Sequence, residues 1–134
     1  SVCYDLRFPQ LFRAQAMAGA EVLTVPAAFT RQTGEAHWHV LLRARAIENG
    51  TWIVAAAQGG RHEDGRETYG HSMIIDPWGG IVAELEHDEP GLLLAEIDTD
   101  AVAAARRKIP NLKNAREFSV RGVGIPVAAR RAAS

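Results

Sequence analysis

The chain has 134 residues, of which 47% are hydrophobic and 23% charged, and its formal net charge is -1. This balance is typical of one globular domain, and without long runs of one charge it disfavours nucleic acid or an anionic membrane as a partner. No apolar run approaches the roughly 20 residues of a membrane span, and no signal peptide is visible. The single cysteine, Cys3, allows no internal disulfide, which favours a reducing, cytoplasmic location.

Predicted helices and strands alternate over the first half of the chain. Pro9 suits the first turn of a helix, and Gly19 can end it. The apolar segment "EVLTVPAAF" predicts a buried strand that ends near Pro26. The clearest helix is "GEAHWHVLLRARAIENG", which ends at Gly50, and the apolar run "TWIVAAAQ" predicts a second buried strand.

The second half of the chain begins with a polar, glycine-rich segment, "GGRHEDGRETYG", which predicts a loop. "HSMIIDPWGGIVAEL" then predicts two strands joined by a turn over residues 76–79. "GLLLAEID" predicts a further strand, and "TDAVAAARRKI" predicts a helix capped by Thr99 or Asp100. From Pro110 onwards the pattern is irregular.

Strands and helices in this order predict an α/β layer protein. Apolar strands such as "IVAAA" need cover on both faces, and the predicted helices cover only part of a sheet. The sequence therefore predicts half of a larger domain, with residues 1–118 as the folded part and residues 119–134 as a tail.

Cys3 is the first candidate for chemistry. A short apolar start, a cysteine, two polar residues and a helix resemble a nucleophile elbow, where backbone N–H groups near the nucleophile hold an oxyanion. Asp5 and Arg7 beside the thiol predict a braced loop, because an arginine fork can bind a carboxylate. The alternatives are a small buried hydrophobe at Cys3 and a weak surface ion pair between Asp5 and Arg7.

Three ordered blocks of sequence carry a family resemblance. "CYDLRFP" is similar to the nucleophile motif of the carbon–nitrogen hydrolase (nitrilase) superfamily, and "PAAFTRQTGEAHWHVLLRARAIEN" is similar to the stretch that follows it. "YGHSMIIDPWG" is similar to a third block. Order and spacing fit from Cys3 to about Phe118, and they most resemble the branch that contains deaminated glutathione amidase and ω-amidases.

The resemblance implies the second half of a four-layer α-β-β-α sandwich and a hydrolase of small linear amides that uses no cofactor and no metal. It makes Cys3 the nucleophile, which forms a thioester as ammonia leaves, with the backbone N–H of Tyr4 in the oxyanion hole. The family's Glu and Lys lie upstream of the cysteine, so the resemblance implies a fragment that lacks them and is inactive alone. Family members commonly dimerise, which implies a homodimer of the full-length protein.

Further candidates lie around the predicted strand ends. Phe29 and Thr30 follow the first buried strand, on the side where α/β proteins usually bind ligands, so they are candidate substrate contacts. The polar segment at residues 59–70 is predicted to approach Cys3 and set specificity. His71 follows that segment and precedes a predicted strand, where it supports either the site or the local structure.

Two other functions stay open at this point. A self-sufficient hydrolase would pair Cys3 with His37 or His71, and a non-catalytic α/β module would bind a partner through a sheet edge or the "LLRARAIEN" helix. The histidines lack zinc-like spacing. Arg45 and Asn49 share a helix face with leucines, which predicts their burial at a packing or dimer surface.

Overall fold

A computed structural model describes residues 1–119 of the chain. Its centre is a four-stranded sheet, with a separate two-stranded hairpin beside it. In chain order the elements are a 3₁₀ helix at Cys3–Arg7, α1 at Pro9–Met17, β1 at Val22–Thr24, α2 at Arg31–Asn49, β2 at Trp52–Ala55, β3 at Gly59–Arg61, β4 at Glu67–Tyr69, β5 at Met73–Ile75, β6 at Ile81–Glu84 and α3 at Asp100–Lys108.

The sheet has the order β1-β2-β5-β6 and mixed strand directions. β1 and β2 run parallel, as expected for two strands joined by a helix, and Leu23 lies opposite Ile53. β5 pairs antiparallel with β2, and the turn after Asp76 returns β6 antiparallel to β5. The predicted strand–turn–strand unit is therefore confirmed.

Both faces of the central strands are covered, as the continuous apolar runs predict. Ile53 and Ile75 are fully buried on the side of α1 and α2, in a cluster with Trp38. Trp52 and Ile74 project to the opposite face and pack against Val102 of α3. The two clusters hold the ends of β1 and β2 in fixed positions.

The helix α2 is longer than predicted at its start. It begins at Arg31 rather than Gly34, because the Oγ1 of Thr30 accepts a hydrogen bond from the N–H of Thr33. It ends before Gly50, which has the left-handed φ of 55° that the sequence predicts for this position. Gly34 lies against Tyr69, where an added Cβ would come within 2.2 Å of the tyrosine Cβ.

Two predictions in the second half are wrong. The polar segment after Gln58 is a hairpin of β3 and β4 and not an irregular loop, and it turns at Gly65, whose φ is 82°. The segment at residues 91–98 is not a strand, because none of its backbone N–H groups donates a hydrogen bond to a described strand. Its side chains alternate, so that Leu93 packs against the Trp52 cluster and Leu94 is 87% exposed.

The third helix is capped differently from the prediction. Thr99 is at the N-cap position, but its side chain makes no capping hydrogen bond. Instead, the N–H of Asp100 donates to Oδ1 of Asp98 at 2.8 Å. The chain from Pro110 to residue 119 is irregular, as predicted, and the predicted tail lies outside the described residues apart from residue 119.

No helix in residues 1–119 combines the length and the apolar character that crossing a membrane requires.

Candidate active site

Cys3 has a backbone conformation that residues other than glycine rarely adopt. Its φ is 45°, in the left-handed region, and it joins an extended start to the 3₁₀ helix that precedes α1. The N–H of Cys3 donates to the carbonyl of Pro26 at 2.9 Å, so the cysteine is tied to the end of β1. A strained residue between a strand-like segment and a helix has the geometry of a nucleophile elbow, which the sequence predicts.

Asp5 holds this turn through its side chain and backbone. Its Oδ2 accepts the N–H of Val2 at 2.9 Å, and its own N–H donates to the carbonyl of Val2 at 2.9 Å. Arg7 has different partners, since its Nη1 lies 3.3 Å from Nδ1 of His37 and its guanidinium lies over the ring of Phe29. The loop is braced, but the predicted bond between Asp5 and Arg7 is not what braces it.

Arg45 provides a second brace, from inside the protein. Its guanidinium donates twice to the carbonyl of Leu6, at 3.0 and 2.8 Å, and once to Glu48 at 3.1 Å. Arg45 is only 4% exposed, and Asn49 one turn later is also buried, so the predicted burial of this pair is confirmed. The bond to Leu6 was not predicted from the sequence, although an arginine on an apolar helix face is a signal for a buried partner.

A cleft of about 910 Å³ opens beside Cys3. It lies at the carboxyl ends of the parallel strands β1 and β2, where residues 26–28 and 56–59 form two of its walls. The remaining lining combines apolar residues, among them Val2 and Leu85, with polar ones. The polar or ionisable residues that line it are Cys3, Gln58, His62, Ser72, Asp88 and Glu89.

Two of the polar lining residues are fixed by hydrogen bonds. Oγ of Ser72 accepts the N–H of Ala57 at 2.9 Å, which ties the wall after β2 to the start of β5. Nε2 of His62 lies 2.7 Å from Oγ1 of the buried Thr68 across the β3–β4 hairpin. The predicted approach of residues 59–70 to the cleft therefore takes place through Gly59 and His62, both of which line it.

Phe29 and Thr30, the predicted substrate contacts, do not line the cleft. Phe29 is 6% exposed and packs against Trp38, with ring centroids 5.0 Å apart. Thr30 caps α2. The neighbouring residues Ala27 and Ala28 line the cleft instead.

His71 lies next to the cleft residue Ser72 but faces another cluster. Its ring stacks on Tyr69 at 3.9 Å, and its Nδ1 lies 2.7 Å from the carbonyl of the same residue. Burial is the main reason why the pKa of Tyr69 is raised, and the carboxylate of Glu84 adds to the effect. Within residues 1–119, no three His, Cys, Asp or Glu side chains are grouped as metal ligands would be.

Tyr4 follows the nucleophile position at the start of the 3₁₀ helix. Its side chain is 65% exposed, and its backbone N–H has no acceptor among the described residues. The first N–H groups of a helix lack partners within the helix, so this donor is available to a bound group.

The fold and the site together define a class: an α/β protein with a strained cysteine at a strand-to-helix turn, facing a cleft at the ends of parallel strands. The chain belongs to the carbon–nitrogen hydrolase family, whose model matches residues 1–107. It is 52% identical over 127 residues to human deaminated glutathione amidase, covering 95% of this chain and 38% of the human protein. The chain thus spans less than half the length of this relative.

Solved structures agree with this family. The Caenorhabditis elegans NitFhit protein has a TM-score of 0.81 and 49% identity, over 87% of this chain and 28% of that one. A mutant of the amidase from Nesterenkonia sp. AN1 has a TM-score of 0.64 and 36% identity, over 81% of this chain and 42% of that one. In that amidase, acrylamide has added to the active-site cysteine. The predicted α/β fold of the nitrilase superfamily is confirmed.

Proposed function

We propose that this chain carries the nucleophile of an amidase that hydrolyses small linear amides. One observation carries the proposal: the chain's only cysteine has a strained, left-handed backbone and lines the cleft at the ends of two parallel strands. Sγ of Cys3 attacks the amide carbon, ammonia leaves, and water hydrolyses the resulting thioester to a carboxylate. The relatives named deaminated glutathione amidase support an amide as the substrate class.

The remaining catalytic roles need groups besides the thiol. A cysteine thiol is mostly protonated at neutral pH, so a base must activate it, and the departing nitrogen needs a proton. The N–H of Tyr4 supplies one donor to the oxyanion. The chain has only two lysines, Lys108 and Lys113, and neither lines the cleft. We assign the base and the acid to a Glu and a Lys in the part of the family domain that this chain does not span.

The geometry gives less support to a self-sufficient site that pairs Cys3 with His37 or His71. His37 lies beside Arg7, and the His71 ring stacks on Tyr69, so neither ring lines the cleft that Cys3 faces.

The proposal is tested by comparing residues 1–134 alone with the protein expressed from its complete coding sequence. We expect the complete protein to release ammonia from ω-amides and to form an acyl adduct on the Cys3 peptide, detectable by mass spectrometry. Without a base and an acid, each worth on the order of 10²–10⁴ in rate, residues 1–134 alone should release none above background. Turnover by these residues alone would instead support a site built from Cys3 and a histidine.

We also propose that the complete protein is a homodimer located in the cytoplasm. The location rests on the single thiol. The dimer rests on apolar side chains exposed on one side of the molecule: Val40 and Ile47 lie seven residues apart on one face of α2, and Trp78 and Ile109 adjoin Ile47. Exposed apolar patches of this kind mark protein–protein contacts.

The dimer can be tested by sedimentation of the complete protein. Val40→Glu and Ile47→Glu together place two charges in the patch. We expect the Kd of the dimer to rise at least about tenfold, because buried unpaired charges are costly. Arg66→Glu, a charge change at the exposed hairpin tip, is the control and should leave the dimer intact. A wild-type protein that sediments as a monomer would contradict the proposal.

A further inference from the structure

The segment that follows β6 crosses the β3–β4 hairpin and forms one wall of the cleft. We call residues 86–91 the strap. The N–H of His71 donates to the carbonyl of His87 at 3.1 Å, and the N–H of Glu89 donates to Nδ1 of the same histidine. Asp88 and its neighbours up to Gly91 line the cleft that contains Cys3. The strap therefore adjoins both the hairpin and the cleft that contains Cys3.

Two glycines of the hairpin region let the strap approach closely. A Cβ on Gly59 would lie 2.3 Å from the carbonyl oxygen of Asp88, and a Cβ on Gly70 would lie 2.6 Å from its Cα. Both neighbours are backbone atoms, so any side chain at either position would displace the strap. Gly70 also has a φ of 70°, which favours glycine. The strap thus packs so closely against the hairpin region that only glycine fits at these two positions.

Arg31 connects the strap to the hairpin by charge. Its Nε lies 3.3 Å from Oε2 of Glu67 in β4, and its Nη2 donates to Oδ2 of Asp88 in the strap. The hydrogen bond with Asp88 is the main cause of the raised pKa of Arg31. Arg31 itself is the first residue of α2, so it joins the strap and the hairpin to the longest helix of residues 1–119.

We infer that the strap limits the size of the acyl group that reaches Cys3, and that Arg31 is the positioning residue that keeps the strap packed against the hairpin. This inference rests on the proposed amidase function for its biological meaning, but its geometry does not. Neither Arg31 nor Glu67 lines the cleft, so Arg31 acts on the substrate only through the strap. Loss of the bridge should widen the cleft on the side of Asp88 and leave the nucleophile turn unchanged.

The test uses thiol reagents of two sizes on the complete protein, with alkylation of the Cys3 peptide measured by mass spectrometry. Iodoacetamide is the small reagent, and N-(1-pyrenyl)maleimide is the bulky one. In Arg31→Met, the alkylation rate with the bulky reagent divided by the rate with the small one should rise about three- to fivefold. The reason is that one partly exposed ion-pair network no longer holds the strap against the hairpin. Arg31→Lys should restore most of the wild-type ratio, since it keeps the charge but not the fork.

Further variants separate the bridge from general destabilisation. Asp88→Asn removes the same bridge from the strap side and should raise the ratio in the same way. Arg66→Met is the matched control, because Arg66 and Asp64 form an exposed ion pair on the same hairpin, away from the strap. An unchanged ratio in both Arg31→Met and Asp88→Asn overturns the inference, and so does an equal rise in Arg66→Met.

The outcome is independent of the proposed amidase activity. A changed alkylation ratio without any ammonia release would support the strap and contradict the function. Ammonia release with an unchanged ratio would support the function and overturn the strap. If the strap inference and the amidase function both hold, the KM of the Arg31→Met protein should fall for amides with a bulky acyl group relative to those with a short one. Its kcat for the short amides should stay unchanged.

Discussion

Replacing Cys3 with alanine should abolish amide hydrolysis by the complete protein. We expect kcat to fall on the order of 10⁴–10⁶-fold, because no other thiol in this chain can form the acyl intermediate and loss of a nucleophile has effects of that size. Ammonia release measures the loss, and intact mass measures the missing acyl adduct. Alanine keeps the same backbone, so unfolding by urea should change by less than about 1 kcal/mol.

Cys3→Gly distinguishes strain from chemistry at the same position. A side chain at a φ of 45° costs about 1–2 kcal/mol, and glycine does not incur this cost, although it loses more backbone entropy on folding. The variant should therefore be inactive and as stable as the wild type, or more stable by up to about 1 kcal/mol. An alanine or glycine variant that retains the wild-type rate would contradict the assignment of Cys3 as the nucleophile.

The second large effect should follow from Arg45→Leu. The substitution places an apolar side chain on the buried helix face but leaves the buried carbonyl of Leu6 without its two donors. We expect the free energy of unfolding to fall by about 2–4 kcal/mol, since charged hydrogen bonds are lost and a buried acceptor is left unpaired. Urea denaturation measures the loss. Cys3 lies three residues before Leu6, so its alkylation rate should also become more heterogeneous among molecules as the turn loosens.

Glu48→Ala is the matched control for Arg45→Leu. It removes the ion pair of Arg45, whose glutamate side chain is 42% exposed, but leaves the bonds to Leu6 in place. An exposed pair of this kind is worth about 0.2–1 kcal/mol, so Glu48→Ala should be much less destabilising. Equal losses in the two variants would show that the ion pair matters, and that the carbonyl of Leu6 does not.

Much of the fold could be predicted because hydrophobic spacing is a local signal. Apolar residues at helical spacing predicted α2, and Gly50 marked its end. Continuous apolar runs predicted the strands that are buried on both faces. The β3–β4 hairpin was missed because its strands have three residues each and few apolar side chains. The segment at residues 91–98 was predicted as a strand because its sequence pattern is that of a strand. A local pattern does not show whether the backbone pairs with another strand, and this segment donates no hydrogen bond to one.

The site was predictable only where one short segment contains it. The segment from Cys3 to Arg7 carried the turn, and its motif predicted the family. The bond from Arg45 to Leu6 and the bridge from Arg31 to Asp88 join residues 39 and 57 positions apart, which no local pattern reveals. Phe29 and Thr30 were chosen because they end a strand, but this wall of the cleft ends at Ala28, after which the chain turns into the core and the helix cap.

The unpaired segment at residues 91–98 has a consequence for amide hydrogen exchange. None of its backbone N–H groups donates to an acceptor within residues 1–119, whereas the N–H groups of β2 and β5 lie in the middle of the sheet. The segment should exchange its amide protons for deuterium within seconds, while the central strands keep theirs until the whole fold opens. Leu92 and Leu94 stand on the outer side of this segment, 89% and 87% exposed. Slower exchange here in the complete protein would reveal, residue by residue, where another strand or surface covers the sheet.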